Sequence, residues 1–192
     1  MVGDCGTNMA MPAPRSRKSP PPLTQAKLEE MALAYVGRFA TSRSKLVAYL
    51  ARKVRERGWE GDAAPDPAAL AGRLAGLGYI DDRAFALSKA RSLTARGYGQ
   101  RRVGQALSMA GIGEEDGAEA RVHAEESCVE AALRYARRRS IGPFAKSTPD
   151  QVARAKALAA MVRAGHGFGL SRAIVNLEPG TEPDISSLEE TC

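Results

Sequence analysis

Asp81 and Asp82 stand side by side in the stretch "LGYIDDRAFA", residues 77–86, directly after an aromatic and an aliphatic residue. Adjacent carboxylates can bind a divalent cation or divide acid and base work between them. Either use needs further ligands or proton partners, and Arg83 is the only other charge beside the pair. A helix start accounts for them more simply. Asp81 precedes "RAFALSKARSLTARG" and is placed to accept backbone N–H bonds as an N-cap, while Asp82 suits the positive end of the helix dipole. Ile80, before the cap, has the spacing to pack on Phe85 as a hydrophobic staple. Gly78, Tyr79, Ile80, Asp81 and Phe85 are therefore expected to form a structural motif.

The other reactive residue types form no constellation. His123 and His166 are the two histidines, and neither lies near a Ser, Cys or carboxylate set with catalytic spacing. Solvated or capping roles are expected for both. Cys5, Cys128 and Cys192 are too far apart for a disulfide framework or a zinc site. "GHGFG" (165–169) has no strand before it and no Lys–Ser/Thr pair after it, so it reads as a helix end and a turn rather than a phosphate loop. Trp59 and Phe168 each follow a helix-ending glycine and are expected as core plugs. No catalytic residue, metal site or cofactor is expected, and the chain reads as a binding protein rather than an enzyme.

Basic residues remain as candidates. The net charge is +6, but residues 178–192 hold five acids and no base. Residues 1–23 contribute +2, which leaves the stretch 24–177 at +9. A folded body this basic points to an acidic partner, most simply nucleic acid or a nucleoprotein surface. Arg43, Lys45, Arg52, Arg55, Lys89, Arg91, Arg96, Arg101, Arg102, Arg137, Arg138 and Arg139 lie mostly on polar faces or helix ends. They are the expected contacts of a basic strip, although any one alone is explained by solvation. Arg101 and Arg102 open a helix, where positive charge opposes the dipole, so a purely stabilising role is not expected for them.

The elements that must carry these side chains are helical. Hydrophobic residues make up 44% of the chain but aromatics only 5%, so a core must be built mainly from Leu, Val, Ala and Met. "QAKLEEMALAYVGRF" places Leu28, Met31, Ala32, Tyr35 and Phe39 on one face, after Thr24 as a weak cap. The next helix has Ser42 or Ser44 as cap, Leu46, Val47, Leu50 and Val54 inward, and Gly58 at its end. A third is expected from Asp66 and Pro67, with Leu70, Leu74 and Leu77 as its apolar residues. In "GYGQRRVGQALSMAG", Val103, Ala106, Leu107 and Ala110 face inward. Lys89 points toward Phe85 and Leu93 and is expected to lay its stem across the core edge. A short acidic helix, a longer one ending in Arg137–Arg139, and another with Thr148 as cap and Pro149 at its first position follow, and "GLSRAIVNL" closes the fold.

Three of these helices end alike. Gly58, Gly111 and Gly165 are separated by 53 and 54 residues, and apolar residues stand four and eight positions before each. The spacing predicts an all-α fold of three tandem three-helix modules forming an elongated curved body. The modules are expected at 24–80, 81–122 and 123–178, between a disordered N-terminal tail (1–23) and an acidic disordered tail (179–192). No apolar run approaches the roughly 18 residues of a membrane span, and no apolar stretch follows the early basic residues as in a signal peptide. A reduced, cytoplasmic protein is expected.

"GYIDDRAFA" followed by "ARSLTARGYGQRRVGQALSMAGI" resembles the central signature of RecX, the bacterial regulator of the RecA recombinase. "ALAYVGRFATSRSKLVAYLARKVRERG" is similar to the family's opening, and "VRAGHGF" matches its ending more loosely. The resemblance covers about residues 28–177 and implies a fold of three tandem three-helix modules. It further implies a monomer lying in the groove of the RecA–DNA filament, suppressing ATP hydrolysis and strand exchange and so modulating recombination, DNA repair and the SOS response. Single- or double-stranded DNA is a further partner to consider. The alternative is a sequence-independent DNA-binding protein that uses its helix pairs as helix-turn-helix units.

Overall fold

A computed structural model describes residues 20–192 of the chain. Its first three helices are α1 (Gln25–Val36), α2 (Arg43–Arg57) and α3 (Pro67–Gly76). Thr24, Ser42 and Asp66 cap them through side-chain oxygens that accept backbone N–H bonds from the first turn. Leu28, Ala32, Leu46, Leu50, Leu70, Leu74 and Ile80 form one core cluster. Two residues depart from the periodic reading because the helices stop before them. Phe39 and Leu77 lie beyond the ends of α1 and α3 and are exposed.

The expected N-terminal tail lies mostly outside the described residues, but its last part is not a tail. Leu23 is fully buried in this first core and forms a parallel bridge with Trp59. Trp59 itself packs against the cluster, as expected for a core plug.

The second group comprises α4 (Asp82–Ala95), α5 (Gln100–Met109) and α6 (Ala118–Glu126). Asp81 Oδ1 accepts from the Ala84 backbone N–H at 2.9 Å, which makes it the N-cap of α4. Ala86, Ala90, Leu93, Val103, Leu107, Ile112 and Ala120 form its core, with Phe85 at the margin. Ile80 turns instead into the first core, so Ile80 and Phe85 serve different modules rather than one staple.

The third group comprises α7 (Cys128–Arg139), a 3-10 turn (Gly142–Phe144), α8 (Gln151–Arg163) and α9 (Phe168–Asn176). Its core includes Tyr135, Ile141, Met161, Leu170 and Ile174. The cap of α8 is Asp150, whose carboxylate accepts from Ala153 N–H at 2.7 Å; Thr148 and Pro149 lie outside the helix. A carboxylate at Ncap meets the helix dipole as well as the orphan N–H groups, which favours Asp150 over the hydroxyl of Thr148. Phe168 opens α9 and is exposed, so it is no core plug.

The acidic segment is also structured. α10 (Ile185–Glu189) packs on α7 and α9, with Leu188 buried in the third core. Cys128 and Cys192 form a disulfide with a Cα–Cα distance of 6.5 Å, in place of the expected separate thiols. Sequence spacing conceals this pair because α10 brings residue 192 back to the start of α7. The apolar Leu188 outweighs the acids around it in fixing the segment.

The modules join through the ends of their second helices. At the end of α8, the Ala164 carbonyl accepts from Gly99 N–H at 3.0 Å and the Gly165 carbonyl from Arg101 N–H at 3.1 Å. At the end of α5, the Ala110 carbonyl accepts from Ser42 Oγ at 2.6 Å and the Gly111 carbonyl from Ser44 Oγ at 3.3 Å. Thus α8 abuts α5, and α5 abuts α2, each C-terminus meeting the N-terminus of the next. Orphan carbonyls and N-terminal donors satisfy one another, and the helix dipoles align head to tail. At the end of α2, Leu23 N–H donates to the Gly58 carbonyl at 3.0 Å.

These joints explain two of the three repeated glycines. Gly111 and Gly165 have φ of +66° and +97°, a region that disfavours other residues. A Cβ on Gly111 would lie 2.3 Å from Ser44 Oγ, and one on Gly165 would lie 2.5 Å from the Arg102 backbone nitrogen. The neighbouring module occupies the space a side chain would need.

Candidate functional site

The basic residues fall into three different surroundings. At the first joint, Arg43 N–H donates to Asp82 Oδ1 at 2.9 Å and its Nε to Asp82 Oδ2 at 2.7 Å. Its Nη2 donates to Asp116 Oδ2 at 2.9 Å. Asp82 is buried, and its bond to the guanidinium raises the Arg43 pKa further above its ordinary value. Arg83 pairs with Glu115 and Asp116 beside them. The first two modules are thus held by a charge clasp. Arg43, a candidate partner contact by sequence, is committed to it; Asp82 favours not only its own helix start but also the neighbouring module.

Elsewhere on the first module, Arg52 pairs with Glu56 at 3.6 Å and lies over Tyr49. Arg55 is exposed on the same helix, α2. Lys45 reaches over the Phe85 ring at 5.3 Å. Lys89 is half-buried and lines a hollow with Phe39, Tyr79 and Phe85, consistent with a stem laid along the core edge. Arg91 is exposed. Of the motif residues, Gly78 has φ +79°, Tyr79 is exposed and Ile80 is buried.

The second joint gathers the rest. Tyr98 precedes α5, and Tyr135 lies on α7 with its hydroxyl bonded to the Ala160 carbonyl at 3.2 Å. Around Tyr98 stand Arg96, Arg102 and Arg138, with guanidinium carbons 5.5, 6.0 and 5.9 Å from the ring centre. Arg138 and Arg139 are 5.4 and 5.9 Å from the Tyr135 ring. These are cation–π distances. Arg138 also donates to the Arg96 carbonyl, and Arg134 to the Ala95 carbonyl at 3.1 Å, tying α7 to the end of α4. Arg102, Arg138, Arg139 and Arg163 line a cleft of about 290 Å³ between these rings, with Ala160 and Ala164 on its wall. Arg137 turns to the Phe144 ring at 4.9 Å, outside that cleft.

Arg163, Tyr98 and Tyr135 were not evident as site residues in the sequence. Each looks ordinary alone, and only the meeting of α8 with α5 brings them together. The same meeting corrects the dipole argument for Arg101 and Arg102. The negative end of α8 lies at the start of α5, so positive charge there is favourable and Arg101 and Arg102 have a stabilising environment.

Both histidines also prove structural. His166 is buried and donates from Nε2 to the Gly97 carbonyl at 3.1 Å, with its ring 5.6 Å from Tyr135. Burial pushes its pKa below the ordinary histidine value, while the Gly97 bond acts the other way. It links modules rather than facing solvent, contrary to expectation. His123 Nε2 lies 3.2 Å from Thr94 Oγ1, joining α6 to α4. Among the described residues, no group of three or more His, Cys, Asp or Glu side chains could hold a metal ion, and no helix is long and apolar enough to cross a membrane.

The chain is 33% identical over 174 residues to the regulatory protein RecX of Myxococcus xanthus, a match spanning 86% of this chain and 92% of that protein. The chain belongs to the RecX family. The RecX second three-helix domain matches residues 81–120, the span of α4, α5 and the start of α6. Regulatory protein RecX of Agrobacterium fabrum is 30% identical over 112 residues, covering 58% of this chain and 60% of that one. The fold is similar to the crystal structure of RecX from Lactobacillus salivarius, with a TM-score of 0.56 and 19% identity, over 78% of this chain and 93% of that one. A second RecX crystal structure aligns with the same TM-score at 22% identity, over 79% of this chain and 70% of that one. The all-α reading and the RecX resemblance are both borne out.

Proposed function

We propose that this chain binds RecA filaments on DNA and lowers their ATP hydrolysis and strand exchange, acting as a regulator rather than a catalyst. Its similarity to RecX along nearly the whole of a curated relative carries the reading. The gathered arginines support it, since a RecA–DNA filament presents phosphate along its length and guanidinium groups suit that chemistry. The arrangement of modules supports it too. Stacked modules present basic groups over a longer span than one helix pair, which suits a partner made of repeating subunits.

The alternative, sequence-independent DNA binding by helix-turn-helix units, needs recognition helices whose N-terminal residues reach base edges. In this chain the first turns of α2 and α5 are occupied by carbonyl groups of the neighbouring module. That favours contact through the sides of the stacked modules. On this reading the protein works as a monomer in the cytoplasm, where the recombinase and its DNA are.

Co-sedimentation with RecA filaments assembled on single-stranded DNA tests the proposal. The chain is expected to pellet with filaments and to shorten them, as seen by electron microscopy. Recovery in the supernatant at every ratio, with filament length unchanged, would overturn it.

A further inference from the structure

We propose that the cleft between Tyr98 and Tyr135 binds the backbone phosphates of nucleic acid directly. This deepens the filament reading and rests on its placing the chain beside DNA. Four arginines, Arg102 on α5, Arg138 and Arg139 on α7, and Arg163 on α8, line one small cleft with no carboxylate among its lining residues. None of the four forms an ion pair among the described residues. Charges of one sign brought together without counter-ions repel, so the arrangement gains when an anion enters. Helix ends account for part of it. Arg138, Arg139 and Arg163 lie in the last turns of α7 and α8, where the dipole favours cations. The dipole does not explain why groups from three helices converge on one opening.

The site is built rather than loose. The Tyr135 ring is buried and its hydroxyl is anchored to Ala160, so its face is a fixed platform for Arg138 and Arg139. The half-buried Tyr98 presents its ring to Arg102 and Arg138. Holding guanidinium groups in place before the ligand arrives lowers the ordering cost of binding. The joint between α8 and α5 sets the distance between the two sides.

Phosphate fits the geometry better than carboxylate. A carboxylate presents its acceptors in one plane and satisfies one guanidinium fork, whereas phosphate oxygens point in several directions and can accept from several forks. A strand fits better than a free phosphate ion. Arg96 stands over Tyr98 beside the cleft, and Arg137 lies in the same last turn of α7 as Arg138, so positive charge continues beyond the opening toward neighbouring phosphates.

The test is fluorescence anisotropy of a labelled single-stranded oligonucleotide with the full chain, without RecA, across a salt series. The paired substitutions Arg102→Gln and Arg163→Gln remove two cleft charges. Arg52→Gln with Arg55→Gln removes the same charge from α2. The cleft pair is expected to weaken binding roughly tenfold or more and to reduce the slope of log K against log salt by about two. The α2 pair should do much less. Thermal melting checks that each variant folds, and Arg102→Lys with Arg163→Lys, which keeps charge but loses the forks, should bind at an intermediate level. Equal losses from the two Gln pairs would overturn the inference in favour of diffuse attraction. Equal competition by polyglutamate or inorganic phosphate at matched ionic strength would overturn the preference for a strand. No oligonucleotide binding by the unaltered chain, alongside intact filament inhibition, would remove the cleft while leaving the filament reading in place.

Discussion

The backbone N–H of Arg101 donates to the carbonyl oxygen of Gly165 at 3.1 Å, so α5 begins where α8 ends. The same relation recurs at the other joint, where Ser42 and Ser44 meet Ala110 and Gly111. One device therefore stacks the modules, satisfies exposed helix ends and places the arginines of α5, α7 and α8 around a common cleft.

Gly165→Ala should damage that device. It combines a φ of +97° with a Cβ 2.5 Å from the Arg102 backbone nitrogen, and strain of this kind costs about 1–3 kcal/mol. Gly104→Ala is the control, because Gly104 lies within α5 with nothing within 4 Å of the added atom. It should stabilise the chain by about 0.5–1 kcal/mol. Urea denaturation of both variants measures the contrast.

The adjacent carboxylates should separate in the same assay. Asp81→Ala removes the cap of α4 and should cost about 0.5–2 kcal/mol, whereas Asp81→Asn or Asp81→Ser should be mild. Asp82→Asn weakens the bonds to Arg43 across the joint and should cost about 1.5–3 kcal/mol. Filament inhibition should survive in a stable Asp81→Asn protein, since Asp81 acts as a cap.

His166 makes the fold sensitive to acid. Its imidazole is held neutral by burial, so the unfolded chain binds a proton that the folded chain resists. The contribution is complete above the ordinary histidine pKa of about 6.5 and is lost as pH falls from there toward the lowered folded value. The melting temperature should fall across that window. His166→Gln, neutral throughout, should melt lower at pH 7 but show a flatter dependence.

The disulfide between Cys128 and Cys192 closes a sequence separation of 64 residues and fastens α10 to the third module. Such a link contributes about 2–4 kcal/mol. A reductant should lower the melting temperature of the unaltered chain and leave that of Cys192→Ser unchanged. Because disulfides are uncommon in reducing compartments, the reduced chain also needs to be assayed on filaments, where inhibition is expected to persist.

The helices, the starts at Asp66 and Asp81, and the module repeat were legible in the sequence because each rests on local spacing, while the structure chooses Ser42 over Ser44 as the cap of α2. The repeated glycines were visible as a pattern, but the reason for Gly111 and Gly165 was not, since it lies in contacts between residues 64 to 68 positions apart. For the same reason Arg43 looked like a partner contact until Asp82 was placed beside it. The buried state of His166 and the closure of the C-terminal segment by Leu188 also depend on tertiary packing. Of the basic candidates, Arg102, Arg138 and Arg139 line one cleft; Arg163, which was not among them, joins through the stacking of α8 on α5.

The proposed action of this chain is restraint of RecA on DNA. ATP hydrolysis by RecA on single-stranded DNA, measured as the protein is titrated, tests it most directly. Hydrolysis is expected to fall at substoichiometric or near-stoichiometric protein and to fall less with Arg102→Gln and Arg163→Gln. Unchanged hydrolysis at saturating protein would contradict the claim.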